Sequence, residues 1–181
     1  MRPMMIKSVI TAEECDELHK HMGDLIDQGK CGWDRLVPEA ASIYKADVFE
    51  GLLEKLRPLA EEKTGKSLLP TYTYARAYFH ENELMPHLDR EACEYSLTLQ
   101  VSHIGGPWPI WTSLEKEWHQ AMEKGDAVEH VMDNGDAVLY KGCEHLHWRY
   151  PFEGDQQVQI FVHYVDANGP YKDHANDAFA G

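Results

Sequence analysis

After Pro70 the apolar residues of this chain stop recurring every three to four positions and begin to alternate, and that switch limits the possible folds more than any other feature. Two helical stripes precede it. Thr11-Ala12-Glu13-Glu14 reads as a capping box, in which the threonine hydroxyl accepts from the backbone three residues on and Glu14 reaches back. Leu18, Met22, Leu25 and Ile26 follow at helical spacing, with Gly29 as the stop. A second stripe of Phe49, Leu52, Leu53, Leu56 and Leu59 predicts a helix from Asp47 to about Thr64, ended by Gly65, with Pro58 a point of kinking or splitting. Beyond Pro70, Thr71 to Phe79 sets Tyr72, Tyr74, Arg76 and Tyr78 on one face of a strand. Tyr95 to Val101 alternates Tyr95, Leu97, Leu99 and Val101 against Ser96, Thr98 and Gln100. Further strands are predicted at Ala127 to Met132, Asp136 to Lys141, His145 to Tyr150 and Gln157 to Val165. Short strands joined by Gly, Pro, Asn and Asp turns predict an antiparallel sandwich or barrel. With helices confined to the first third, the expected fold is mainly β: a double-stranded β-helix (jelly roll) backed by two α-helices. Gly105 through Trp118 reads as too irregular for a strand and is expected to form a rim or lid.

A length of 181 residues suits one domain with one core. Residues 1–68 are expected to be helical support and 70–165 the jelly-roll core. Residues 166–181, rich in Asn, Asp, Gly and Ala, are expected as a loosely attached tail. The formal net charge of -14 repels phosphate backbones and anionic lipid, which argues against a general nucleic-acid or membrane-surface role. Cys15, Cys31, Cys93 and Cys143 are widely spaced with no C-x-x-C pair, the pattern of free thiols in a reducing compartment. No long apolar run occurs, and the apolar stretch in MRPMMIKSV is too short for a cleavable leader, so a soluble, cytoplasmic protein is expected.

The chemistry concentrates in His87-Leu88-Asp89 and a histidine further on. Residues i and i+2 of a strand point the same way, so His87 and Asp89 can bind one metal ion from one wall of a barrel. Two histidines and one carboxylate hold a non-haem Fe(II) on one face and leave its other positions open. For the third ligand, His103, His119, His130, His145 and His147 are available. Only His145 and His147 follow Gly135-Asp136-Ala137-Val138-Leu139-Tyr140, a turn feeding an apolar strand, and these two share a face. On the last strand, Val158, Ile160, Val162 and Tyr164 form an apolar face. Gln157, Gln159, Phe161 and His163 form the other, which meets either solvent or a polar cavity. Trp108, Trp111 and Trp118 read either as an aromatic substrate rim or as packing within their loop.

From about Tyr74 to Tyr171 the chain resembles the 2OG-Fe(II) oxygenase superfamily, and within it the prolyl-4-hydroxylase-like bacterial and viral branch. The matching segments are Tyr74-Ala75-Arg76-Ala77-Tyr78, His87-Leu88-Asp89-Arg90 with Cys93-Glu94 and Ser96-Leu97-Thr98-Leu99, and Pro107-Trp108-Pro109. Gly135 through Glu144, His147-Trp148-Arg149 and Gln159 through Tyr164 continue the match. The resemblance implies His87, Asp89 and His147 as iron ligands and the catalytic set, since the histidine of the H-W-R triplet takes the distal position; His145 then serves nearby or at the rim. It also implies Fe(II), 2-oxoglutarate as cosubstrate and O2, with hydroxylation of an unactivated C–H bond in a prolyl or other peptidyl side chain, an amino acid or a small molecule.

One departure from the family pattern stands out. Many members carry a lysine or arginine about ten residues past the distal histidine to bind the cosubstrate's far carboxylate. Here that position is Gln157, and no lysine or arginine occurs between Arg149 and Lys172. A buried carboxylate needs a cationic partner. Arg149, two residues past His147, is the expected cation, and Tyr78 is a candidate hydroxyl donor. Arg76 is the alternative, whereas Arg90 is expected to point away and to pair with Glu91 or Glu94. Two rival classes remain: a cupin-type metal enzyme that does not use 2-oxoglutarate, and a catalytically silent binding domain on the same fold.

Overall fold

A computed structural model describes residues 1–179; Ala180 and Gly181, the end of the expected tail, lie outside the described residues. Helix α1 spans Ala12–Asp27, and both halves of the Thr11/Glu14 capping box are made. Helix α2 spans Asp47–Thr64 and ends where Gly65 turns left-handed at φ 67°, a conformation a side chain would resist. It runs unbroken through Pro58, and its buried stripe is completed by Ala60, with Leu59 only half-buried.

Among the described residues, ten strands form two antiparallel sheets. The larger comprises β1 (Met4–Ile6), β2 (Ala41–Tyr44), β3 (Leu68–Phe79), β5 (Tyr95–Ile104), β8 (Ala137–Tyr140) and β10 (Gln156–Asp166), in the order β1-β8-β5-β10-β3-β2. The smaller is β4-β9-β6-β7, from Leu84–His87, Leu146–Arg149, Ile110–Ser113 and Val128–His130. The two sheets make the expected jelly roll, with both long helices against the outer face of the larger one.

That outer face carries the main core. Ala75, Ala77, Leu97, Leu99, Val158, Ile160 and Val162 meet Leu18, Met22, Phe49, Leu52, Leu53 and Leu56 of the helices. Because side chains alternate, the residues between them (Tyr72, Tyr74, Arg76 and Tyr78 of β3; Gln157, Gln159, Phe161 and His163 of β10) point between the sheets. The apolar pattern therefore aims the polar residues inward, and Gln159 and His163 are buried there rather than facing solvent.

Several expectations are corrected. Gly105 through Trp118 is not all loop: Ile110–Ser113 is β6, an interior strand paired with β7 and β9. Its four residues are too few to show a period, and tertiary pairing makes it a strand. Helices are not confined to the first third, since α3 covers Trp118–Lys124. The tail is docked: Lys172–Asp177 forms a short 3-10 segment against β3, and Asp177 is buried. Asp177 accepts from both terminal nitrogens of Arg90, which displaces the expected pairing with Glu91 or Glu94.

Candidate metal centre and its buried chamber

His87 ends β4, and its Cα partner in β9 is His147, so antiparallel register alone brings the two rings to 4.1 Å between centroids. Asp89 lies past the end of β4 rather than on it, and the i, i+2 argument from strand geometry does not place it. Its backbone N–H donates to Gly142 O at 2.9 Å, which sets the carboxylate against the histidines. Gly142 is needed for that approach, because a Cβ there would stand 2.5 Å from Asp89 Oδ2.

The two histidines are oriented in the same way. His87 Nδ1 lies 2.9 Å from Met85 O, and His147 Nδ1 lies 2.9 Å from His145 O. A carbonyl oxygen only accepts, so each Nδ1 carries the proton and each Nε2 offers a lone pair. His145 thus contributes its backbone carbonyl, while its own ring nitrogen accepts from the Lys141 N–H. Asp89 Oδ1 sits 3.5 Å from His87 Nε2 and 3.6 Å from His147 Nε2. Donors bound at about 2.1 Å to one ion and about 90–110° apart are separated by roughly 3.0–3.4 Å. The two observed separations lie about 0.1–0.2 Å beyond that range, so a small inward shift of the side chains lets the three groups hold one divalent transition ion. Burial and the neighbouring His147 push His87 below its ordinary pKa. Burial would raise Asp89, but His147 and His87 outweigh it and hold the carboxyl well below its usual range. At neutral pH His87 is neutral and Asp89 ionised, the protonation states that metal ligation requires.

The triad opens on a cavity of about 370 Å³ lined by Tyr72, Arg76, Leu84, Leu88, Phe161 and His163 among others. Trp108, Trp111 and Trp118 do not line it. Trp108 packs edge-on against Tyr78, and Trp111 and Trp118 pack against Trp148. His130 hydrogen-bonds Thr112, His119 lies on α3 and His103 on β5; the geometry does not bring these three to the triad.

Arg149, on the same strand as His147, is 2% exposed. One terminal nitrogen donates to Trp108 O, and the guanidinium lies 4.9 Å from the Trp108 ring centre. Its Nε and second terminal nitrogen have no partner among the described residues. Burial, with Arg76 nearby, brings this arginine down to about 10 despite Tyr78 and Tyr140. Gln157 reaches the same Trp108 oxygen from the opposite sheet at 3.5 Å. The guanidinium thus arrives from β9 at the place toward which the β10 residue points. Arg76 contrasts with it: Asp34, from the loop after α1, neutralises it, and Arg76 Nη1 donates to Tyr78 Oη at 2.8 Å. Tyr78 accepts that bond, so its own O–H is free to donate. Asp34 was not foreseen; it also accepts from Tyr74 and from the backbone of Leu36 and Val37, contacts that only the folded loop creates.

No helix among the described residues is long and apolar enough to cross a membrane. No family model matches the sequence, and no curated protein matches it. Solved structures do. The viral collagen prolyl hydroxylase of Paramecium Bursaria Chlorella virus-1 superposes with a TM-score of 0.63 at 12% identity, over 91% of this chain and 96% of that one. A Pseudomonas putida prolyl-4-hydroxylase gives 0.65 at 14% identity, over 91% and 92%. HygX of Streptomyces hygroscopicus, solved with nickel and 2-oxoglutarate bound, gives 0.67 at 12% identity, over 92% and 83%. At such low identity these likenesses establish a shared architecture, the double-stranded β-helix on which those oxygenases are built.

Proposed function

We propose that this protein is an Fe(II)- and 2-oxoglutarate-dependent dioxygenase that hydroxylates an unactivated C–H bond of a small molecule or of a single prolyl or other peptidyl side chain. The observation that carries this reading is Arg149, a fully buried guanidinium with two donor nitrogens and no acidic partner to meet them among the described residues, in the same barrel as an oriented His-Asp-His set. An uncompensated buried cation costs several kcal/mol, so a fold that keeps one gains from an anion that binds beside it. The far carboxylate of 2-oxoglutarate is such an anion. HygX, which has this architecture, carries that molecule together with a metal.

His87, Asp89 and His147 would hold Fe(II), whose chemistry when bound is to couple oxidative decarboxylation of 2-oxoglutarate by O2 to C–H hydroxylation. The backbone carbonyls of Met85 and His145 fix both rings so that Nε2 faces the ion without rearrangement. Arg149 binds the cosubstrate carboxylate by charge-assisted hydrogen bonds, and the Tyr78 hydroxyl donates to it. Arg76, tied to Asp34, keeps the wall between them rigid. Leu84, Leu88 and Phe161 exclude water and give the reacting C–H an apolar bed. The cavity of about 370 Å³ at the triad suits a compact group rather than a macromolecular surface; Arg149 and Tyr78 are not among the residues that line it, so the cosubstrate carboxylate must reach past that lining. HygX with hygromycin B bound is an example of a small-molecule substrate class on this architecture.

The test is an anaerobic titration of the Fe(II)-loaded protein with 2-oxoglutarate, following the visible metal-to-ligand charge-transfer band. The band should saturate in the parent, vanish in His147→Ala and require far more 2-oxoglutarate in Arg149→Gln. Iron bound with no band would reject the reading in favour of a cupin-type enzyme that does not use 2-oxoglutarate.

A further inference from the structure

The carboxylate of Asp89 faces two sets of ligands, and the proposed function uses only one. Oδ1 addresses His87 and His147. Oδ2 lies on the other side, where a Cβ on Gly142 would come 2.5 Å from Oδ2 and 2.8 Å from Ser96 Oγ. On that side stand Cys93 and His163, each with no more than 5% exposure. A ligand atom from each of Asp89, Cys93 and His163 lies within 4.8 Å of the other two. All three residues line the cavity, so an ion has a path to them.

We propose that Asp89, Cys93 and His163 form a second metal subsite, thiolate-containing and sharing its carboxylate with the His87–Asp89–His147 set, that takes a borderline-soft divalent ion of the zinc class. Three features beyond proximity point to a ligand there. His163 Nδ1 is 2.8 Å from Ser96 Oγ, which leaves Nε2 without a protein hydrogen bond among the described residues, on the wall of the cavity. That arrangement repeats the orientation of His87 and His147, whose Nδ1 atoms are likewise tied down. The Tyr72 hydroxyl lies 3.0 Å from Cys93 Sγ and donates to it once the sulfur is a thiolate. The Tyr72 ring also packs on the His163 imidazole, 4.6 Å between centroids, and fixes its plane. The donor set itself selects the ion, since one imidazole nitrogen, one thiolate and one carboxylate suit Zn²⁺ or Cd²⁺ better than Mg²⁺ or Ca²⁺.

Burial and the Asp89 carboxylate push the Cys93 thiol well above its ordinary value, so the ion itself must displace the proton. On binding, the Cys93 S–H bond breaks, the sulfur keeps the electron pair for the metal, and the proton leaves to solvent. While the His87–Asp89–His147 set is empty, a divalent ion with one thiolate and the Asp89 carboxylate is neutral, which lowers the cost of placing it in a buried site. No oxidation or reduction is involved. This subsite does not depend on 2-oxoglutarate use.

The experiment is a Cd²⁺ titration of the metal-free full-length protein, following the near-ultraviolet thiolate-to-cadmium charge-transfer band, in the parent, His147→Ala, Cys93→Ser, His163→Gln and Ser96→Ala. The parent and His147→Ala should both develop the band, because His147 belongs only to the other set. Cys93→Ser should lose it. His163→Gln, and Ser96→Ala through loss of the bond that orients His163, should weaken binding at least about tenfold. Circular dichroism establishes that each variant is folded; if Cys93→Ser is not, His163→Gln carries the test. A band that survives intact in Cys93→Ser would assign the thiolate to Cys15, Cys31 or Cys143 and overturn the proposal. So would absence of the band in the parent, its loss in His147→Ala, or unchanged affinity in His163→Gln.

Discussion

On the helix side of the larger sheet, Ala75, Ala77, Leu97, Leu99, Val158, Ile160 and Val162 pack against α1 and α2. On the other side their sequence neighbours Arg76, Tyr78, Ser96, Thr98, Gln157, Gln159 and His163 are just as hidden from solvent. Burial therefore does not tell the two faces apart; hydrogen bonding does. Within β3, β5 and β10 the buried polar atoms without partners are Arg76 Nε, Gln157 Oε1 and Gln159 Oε1, all on the inner face. Arg149 adds two more from the opposite wall. A folded protein satisfies nearly all its buried polar groups, so a cluster of orphans on one face marks the face that is completed by a ligand. The outer face is built for stability, and the inner face gives up some stability for binding.

The largest test of this contrast is Asp34→Asn. Asp34 is the one acidic partner of Arg76, and removing one member of a buried pair costs about 3–5 kcal/mol, to be read from urea unfolding at pH 7. Burial raises the Asp34 carboxyl, but Arg76 and the Tyr74 hydroxyl outweigh it and hold it below its ordinary value. Such a group contributes stability that is present above the unfolded pKa of about 3.9 and is lost as pH falls through the folded value. The parent should therefore lose more stability than Asp34→Asn on acidification toward about pH 3. Equal losses would mean that this pair does not hold the inner wall.

On the outer face, Leu99→Ala should destabilise by about 2–5 kcal/mol, as deletion of a wholly buried leucine does. Chemical denaturation should show the loss without weakening metal or 2-oxoglutarate binding. Comparable loss of binding would show that the faces are not separable.

Arg149→Met should do the opposite. Losing charge-assisted hydrogen bonds of about 1.5–3 kcal/mol weakens 2-oxoglutarate about 10–100-fold, while the unliganded protein becomes no less stable, since an uncompensated buried charge is gone. Calorimetry of ligand binding and of unfolding measures the two halves, and a drop in both would make Arg149 a structural residue. The smallest change is expected for Gln157→Met. Its one side-chain hydrogen bond among the described residues is the 3.5 Å approach to Trp108 O, and stability should shift by less than about 1 kcal/mol. A larger loss would show that Gln157 is bonded more firmly than its geometry indicates.

What could be read in the chain follows from how local each signal is. Thr11 and Glu14 announce the start of α1, and Gly65 the end of α2, because capping and left-handed turns involve only adjacent residues. The alternation of Leu97/Leu99 against Ser96/Thr98, and of Val158/Ile160 against Gln157/Gln159, identified both faces of the sheet before any partner strand was known. His87 and Asp89 stood out by residue type and order; the family resemblance singled out His147 over His145, and marked Gln157 as the place where a basic residue is missing. Other features depend on residues far apart in the chain. Strand β6 exists because β7 and β9 flank it, not because Ile110–Ser113 has a period. Asp89 is aimed by Gly142 O, fifty-three positions later. Asp34 meets Arg76, Asp177 meets Arg90 and Cys93 meets His163 only after the sheets close. The sequence by itself determined which residues are apolar, in what period, and which can ligate or carry charge. Tertiary structure decided which of those charges are neutralised and which, like Arg149, stay unpaired. Pairing energy depends on distance and dielectric, and both are set by the folded barrel.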